Sequence, residues 1–175
     1  MSDMEIVPEI FTADYLGSPG HRSFYVQSRS SSGTNSFPIE KQQVAVLAER
    51  LRDMLLAIDE QDTVRATPPA RDPALVLQEP IDPQWRIGAI GLGYEEESDR
   101  FIVLFQPTDE EAEDAVSEEG PSMRFTLRRD QVRSFVLHTA AIVEEGRPTC
   151  QLCGLPIDPE GHRCPASNGH RLTTI

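Results

Sequence analysis

From Lys41 to Ile58 the apolar residues Val44, Leu47, Leu51, Leu55 and Ile58 recur at spacings of three and four. That period puts them on one stripe of an α-helix, with Glu49, Arg50, Arg52 and Asp53 largely off it, and predicts a helix over 41–58. Val132, Phe135, Val136, Thr139, Ala140 and Val143 repeat the pattern, predicting a second helix over 130–145, opened by Asp130 as its cap and ended at Gly146. Elsewhere the period shortens to two. Phe11 to Leu16 and Arg22 to Ser28 alternate on either side of the turn signal "GSPG", and "SSSGTN" leads into a short strand, "SFPIE". Trp85 to Tyr94 and residues 100–106 flank "EEESD" as a second hairpin, the unbroken apolar run "RFIVLFQ" predicting burial on both faces. "MRFTL" is a further strand with Met123, Phe125 and Leu127 inward.

Between these elements lie a proline-rich linker over 61–83 and an acidic stretch over 108–120, whose carboxylates predict a solvated loop. The two halves also rhyme. "FPIEKQQVAVLA" from Phe37 and "FTLRRDQVRSFV" from Phe125 align at an offset of 88, sharing an aromatic, a basic residue and a Gln-Val pair. The pattern suggests a duplicated hairpin-strand-helix unit, repeats 9–60 and 84–146, although any strand-turn-helix with an inward aromatic aligns partly by chance. The expected fold is α+β: residues 22–28, 85–94, 100–106 and 122–128 in one antiparallel sheet, both helices on one face. This domain spans 1–147, and 148–175 forms a separate tail.

Charge removes several function classes. With 16 Lys and Arg against 29 Asp and Glu, the 175-residue chain carries a net charge of −13. Phosphate backbones and anionic membrane surfaces are bound by cations, so general nucleic-acid binding and membrane docking are not expected. No apolar run approaches the roughly 18 residues of a membrane span, and the acidic start lacks the apolar region of a signal peptide. The cysteines, three in number, do not make a secreted disulfide framework, so a cytoplasmic protein is expected.

All three cysteines fall in "CQLCGLPIDPEGHRC", residues 150–164. Cys150 and Cys153 form C-x-x-C on a turn that Gly154 can close, and "LPIDPEG" returns the chain to deliver His162 and Cys164. Three sulfurs and an imidazole suit tetrahedral zinc in a closed, structural knuckle, with Cys150, Cys153, His162 and Cys164 as ligands. His170 competes with His162 for the fourth place. A redox pair is the weaker reading, because "GLP" breaks the helix that would stabilise a reactive thiolate. His138 lies beside the apolar stripe and reads as a packed residue, and His21 as solvated. Gly88, Gly91 and Gly93 read as a bulge or close strand packing, since no complete phosphate-loop motif is present. No nucleophile, acid and base converge in the sequence, and no catalytic residue is assigned.

The pieces "FTADYLGSPGHRSFYVQSRS", "IEKQQVAVLAERL", "WRIGAIGLGYEEESDRFIVL" and "GRPTCQLCGLPIDPEGHRCPASNGHR" cover nearly the whole chain. In them the sequence resembles an uncharacterised bacterial family, a domain of unknown function found mostly in high-GC Gram-positive bacteria. The resemblance implies a cytoplasmic protein with a cysteine-rich end and no assigned activity. Two functions compete. One is a non-enzymatic binding or adaptor module whose zinc knuckle contacts a partner protein. The other is an enzyme or accessory subunit that grips an anionic metabolite through Arg86, Arg124, Arg128 and Arg129 on one sheet face.

Overall fold

In the computed structural model the described residues are 4–108, 121–146, 149–157 and 161–168. The elements are β1 (Met4–Ile6), β2 (Ile10–Leu16), β3 (Ser23–Ser30), β4 (Gly33–Ile39), α1 (Lys41–Ile58), β5 (Ile87–Glu95), β6 (Arg100–Pro107), β7 (Met123–Leu127), α2 (Arg129–Glu144) and the single turn α3 (Pro165–Asn168). Both helices and the antiparallel strands follow the α+β expectation. Of the acidic stretch, residues 109–120 lie outside the described set.

The strands do not form one sheet. β2, β3 and β4 make a three-stranded antiparallel sheet, and β5, β6 and β7 make another, which β1 extends by pairing in parallel with β7. The reason lies where β4 passes the approach to β5. There the two sheets meet in a single bridge between Ser36 and Pro83, with the Gln84 amide donating to the Ser36 carbonyl. Pro83 has no amide to continue a ladder. A few residues on, the carbonyls of Ile87 and Gly88 accept from the Gln43 side chain, and a bulge shifts the register between Ile87 and Ala89.

Each sheet is a meander followed by a helix, and the registers correspond. Next to the first hairpin turn Tyr15 pairs with Phe24, which pairs with Ile39; next to the second, Tyr94 pairs with Phe101, which pairs with Leu127. The following row is Ala13, Val26 and Phe37 in one unit and Leu92, Val103 and Phe125 in the other. Phe11 and Phe37 meet Phe105 and Phe125 between the sheets, with ring centroids 5.2–6.3 Å apart, and Phe135 of α2 closes on Phe11. These rings are fully buried, so truncating Phe37 or Phe125 to alanine would cost about 3–5 kcal/mol. α1 and α2 pack on each other, and α2 also crosses β2.

Three local expectations change. On β6, Phe101, Val103 and Phe105 are buried but Ile102 and Leu104 only half so, because one face of that sheet is left partly open. The N-cap of α2 is Arg128, not Asp130; Gln131 accepts the Arg128 amide, while Asp130 is held by the Arg128 guanidinium at 2.9 and 3.0 Å. The stretch read as a linker is bonded to the body along much of its length. Asp62 holds Arg133, Arg71 holds Asp14, the Thr12 hydroxyl donates to the Leu75 carbonyl, and Gln27 both accepts from the Gln78 amide and donates to its carbonyl. This strap explains why Gln27 is buried on the face of β3 that a lone sheet would expose.

Candidate metal centre

Beyond α2 the chain forms a small knuckle. Thr149 and Pro156 make an antiparallel bridge, and the Cys150 amide donates to the Leu155 carbonyl at 2.8 Å. The Gly154 amide donates back to the Cys150 carbonyl at 2.9 Å, with Gly154 in the left-handed region at φ +72°, a conformation glycine adopts without a steric penalty. The C-x-x-C turn is therefore closed by its glycine. On the returning arm Gly161, at φ +92°, turns the chain into His162, and Pro165 opens α3 immediately after Cys164.

These turns bring the predicted ligands together. One donor atom from each of Cys150, Cys153, His162 and Cys164 lies within 4.8 Å of all the others. Cys150 Sγ is 3.7 Å from Cys164 Sγ, and Cys153 Sγ is 3.3 Å from His162 Nε2. A tetrahedron with Zn–S near 2.3 Å and Zn–N near 2.0–2.1 Å has S···S edges of about 3.8 Å and S···N edges of about 3.6 Å. The set therefore fits a tetrahedral ion, and the cysteines are free thiols rather than a disulfide. His170, the competing fourth ligand, lies outside the described residues.

The local electrostatics favour a metal-binding thiolate. Backbone amides of Cys153 and Leu152 face the Cys150 sulfur and bring its thiol down to about 6. For Cys153 the Leu155 amide pulls the same way, but desolvation and the neighbouring Cys164 and Cys150 sulfurs outweigh it and push the thiol up. Crowded thiolates repel one another until a cation neutralises them, which is what a divalent ion between them does. Cys150 and Cys164 are buried, while Cys153 and His162 are half-exposed. No helix starts at the C-x-x-C pair, so the dipole that stabilises a redox thiolate is missing from this turn.

The four sheet-face arginines do not converge. Arg86 pairs with Glu40 at 2.6 Å, Arg124 lies 3.8 Å from Glu5, Arg128 pairs with Asp130 at 2.9 Å, and Arg129 holds Asp99 at 2.7 Å. His138 is more deeply placed than its sequence context indicated. It is fully buried, its Nδ1 accepts the Asp72 amide at 2.9 Å, and its Nε2 faces Asp14 Oδ2 at 3.4 Å, a contact that is electrostatic rather than a formed hydrogen bond. Sequence reasoning missed this cluster because its partners come from three distant segments. Gly88 fits the bulge reading: a Cβ there would stand 2.5 Å from the Pro107 carbonyl oxygen.

A family model described as a protein of unknown function, DUF3090, matches residues 6–164, a span that ends on the last of the four candidate ligands. No curated protein and no solved structure matches the chain.

Proposed function

We propose that this chain, which belongs to the DUF3090 family of proteins of unknown function, is a non-enzymatic binding or adaptor module whose C-terminal knuckle holds one structural zinc ion. The observation that carries this reading is the closed ligand set. Four side chains offer donor atoms within 4.8 Å of one another, enough for every position of a tetrahedral ion, whereas a catalytic zinc keeps three protein ligands and an open position. The ion would be held by Cys150, Cys153, His162 and Cys164, and it supplies cross-linking of the two arms rather than Lewis-acid chemistry. A short segment with few apolar residues gains from such an ion on the order of 10 kcal/mol of ordering free energy.

What the knuckle presents supports a protein partner. Leu152 is 71% exposed and Leu155 49%, and they flank Cys153 and Gly154 on the tight loop. Large apolar side chains held outward on a rigid turn suit docking, because little conformational entropy is lost when they are covered. Arg124, Arg128 and Arg129 each face a carboxylate of their own, which weakens the reading that the four sheet-face arginines together grip one metabolite. No described helix is long and apolar enough to cross a membrane. We place the protein in the reducing cytoplasm, where free thiols persist to bind zinc.

Metal analysis of protein purified under reducing, unchelated conditions tests the site. One zinc per chain is expected, and metal-free protein would refute it. Comparing His162→Ala with His170→Ala assigns the fourth ligand. Capture from native cytosol with intact chain, tail-deleted chain and the Leu152→Asp/Leu155→Asp variant tests the docking role. A partner retained equally by all three sinks it.

A further inference from the structure

A cavity of about 420 Å³ lies where the β2–β3 turn, the end of β4 and the start of α1 meet, beside Gly146 at the close of α2. Among the described residues its cations are Arg22, Lys41 and Arg86, against one carboxylate, Glu40, which is itself paired with Arg86 at 2.6 Å. In a chain of net charge −13, a concave site with this balance runs against the composition. Lys41 is the chain's sole lysine and has no acidic partner among the described residues. Arg22 is fixed without a carboxylate: its guanidinium lies over the Tyr15 ring at 4.0 Å, one terminal nitrogen donates to the Glu145 carbonyl, and its buried Nε makes no hydrogen bond.

The second unit shows what normally fills such a place. Arg129 is the first residue of α2, as Lys41 is of α1. Arg129 is neutralised by Asp99, which ends the β5–β6 turn, accepts from Arg129 Nε at 2.7 and 3.0 Å and also accepts the Tyr94 hydroxyl at 2.6 Å. The corresponding β2–β3 turn, residues 17–22, contains no acid, and the position just before β3 that matches Asp99 is Arg22. One unit supplies its own carboxylate to the cation at the helix start; the other replaces it with a second cation.

We propose that this cavity is a binding site for a small molecule bearing an oxyanion group, phosphate or carboxylate, which takes the place that Asp99 fills in the second unit. Lys41, Arg22 and Arg86 contact the oxyanion, guanidinium forks suiting either head group. Tyr25 and Pro38, cross-strand partners that also line the cavity, offer an apolar wall to the rest of the molecule. The volume exceeds a bare phosphate and falls in the range of small-metabolite sites. The surrounding negative charge selects against polyanions, because a nucleic acid would bring many repelled phosphates for each one bound.

Amide NMR titration of the full chain with inorganic phosphate, with succinate, and with sodium chloride as the screening control tests the site. Saturable shifts at Gly20, Ser23, Lys41, Arg86 and Gly146 are expected from at least one of the two oxyanions and not from chloride, and their ranking identifies the head group. Lys41→Met and Arg86→Gln alter exposed side chains and should fold; each should weaken binding roughly tenfold, the scale of one charge-assisted hydrogen bond. Arg22→Asp, which restores the second unit's arrangement, should abolish it. Failure of both oxyanions to give saturable shifts overturns the proposal, as does wild-type affinity in Lys41→Met and Arg86→Gln.

Discussion

Gln43 and Gln131 occupy the third position of α1 and α2, and each does two jobs with one amide. The side-chain oxygens accept the backbone amides of Glu40 and Arg128, capping their own helices at 3.1 and 3.0 Å. The nitrogens cross to the opposite unit, one to the start of β5 and the other to the segment just before β2. Gln43 Nε2 donates to Gly88 at 3.1 Å, and Gln131 Nε2 donates to Pro8 and Glu9 at 2.7 and 3.1 Å. The two units therefore fasten each other reciprocally through equivalent residues.

This exchange predicts unequal costs. Gln131 is buried, so Gln131→Ala leaves an amide and two carbonyls without their partner and should cost about 2 kcal/mol. Gln43 is half-exposed and water replaces its partners, so Gln43→Ala should cost about 1 kcal/mol or less. Gln131→Glu keeps the capping oxygen but loses the donor and should be no better than alanine. Urea unfolding of the three variants checks the order; equal losses for Gln43→Ala and Gln131→Ala would show that burial does not set the cost.

The strap over 61–83 carries a second prediction. Its Asp72 and Gln78 amides donate to His138 Nδ1 and Gln27 Oε1, both at 2.9 Å and both on buried side chains. Hydrogen exchange at these two amides should be slow, close to that of the sheets. His138→Leu removes the acceptor and leaves Asp14 facing an apolar neighbour, and should cost about 2–3 kcal/mol. Fast exchange at Asp72 in the wild type would mean that the segment behaves as the free linker its prolines suggest.

Acid should weaken the fold through Asp14 and Asp62. Burial opposes ionisation of Asp14, but His138 beside it, the Tyr15 amide and Arg71 outweigh that and hold its carboxyl below the usual range. Arg133, with the Val64 amide, overcomes burial to lower Asp62. Both folded values lie below the unfolded value near 3.9, so their stabilisation is intact above pH of about 4 and is lost as pH falls through the folded values. Chemical unfolding between pH 7 and 2.5 should show a steep loss only at the acid end, and Asp62→Asn should flatten that slope while lowering stability at neutral pH.

Which parts were legible in the sequence follows from how local their causes are. The stripes from Val44 to Ile58 and from Val132 to Val143 are set by a period within one element, although Ile58, Ala140 and Val143 end only half-buried and Ile142 takes the inner place; the C-x-x-C and H-x-C pairs are set by spacing within fifteen residues. The sheet division was hidden because it depends on a proline at 83 meeting Ser36 and on a glutamine side chain taking strand carbonyls. The matching rows of Tyr15–Phe24 and Tyr94–Phe101 were also hidden, since residues 108–122 separate β6 from β7 where two residues separate β3 from β4, and this throws the two hairpins out of the offset that aligns the helices. Prolines in the strap read as a linker, but it is secured by Thr12, Gln27, Asp14 and His138, whose roles no local pattern announces.

Metal removal should separate the knuckle from the body. The buried apolar cluster runs from Ile6 to Ile142 and contains none of the three cysteines, so the sheets and main helices do not depend on the ion for their core. Across the junction, Glu145 ties the end of α2 to Tyr15, Arg22 and Arg71, which anchors the body's edge whether or not the tail is folded. Chelation should therefore leave the main melting transition nearly unmoved, within the ~0.5 kcal/mol typical of changes remote from the core. It should raise amide exchange selectively at Cys150 and Gly154, whose amides are bonded inside the knuckle. Cys153→Ser should reproduce this pattern without chelator, because losing one of four ligands opens the site. A large fall in the main transition on chelation would mean that the knuckle is part of the body's core rather than an appendage to it.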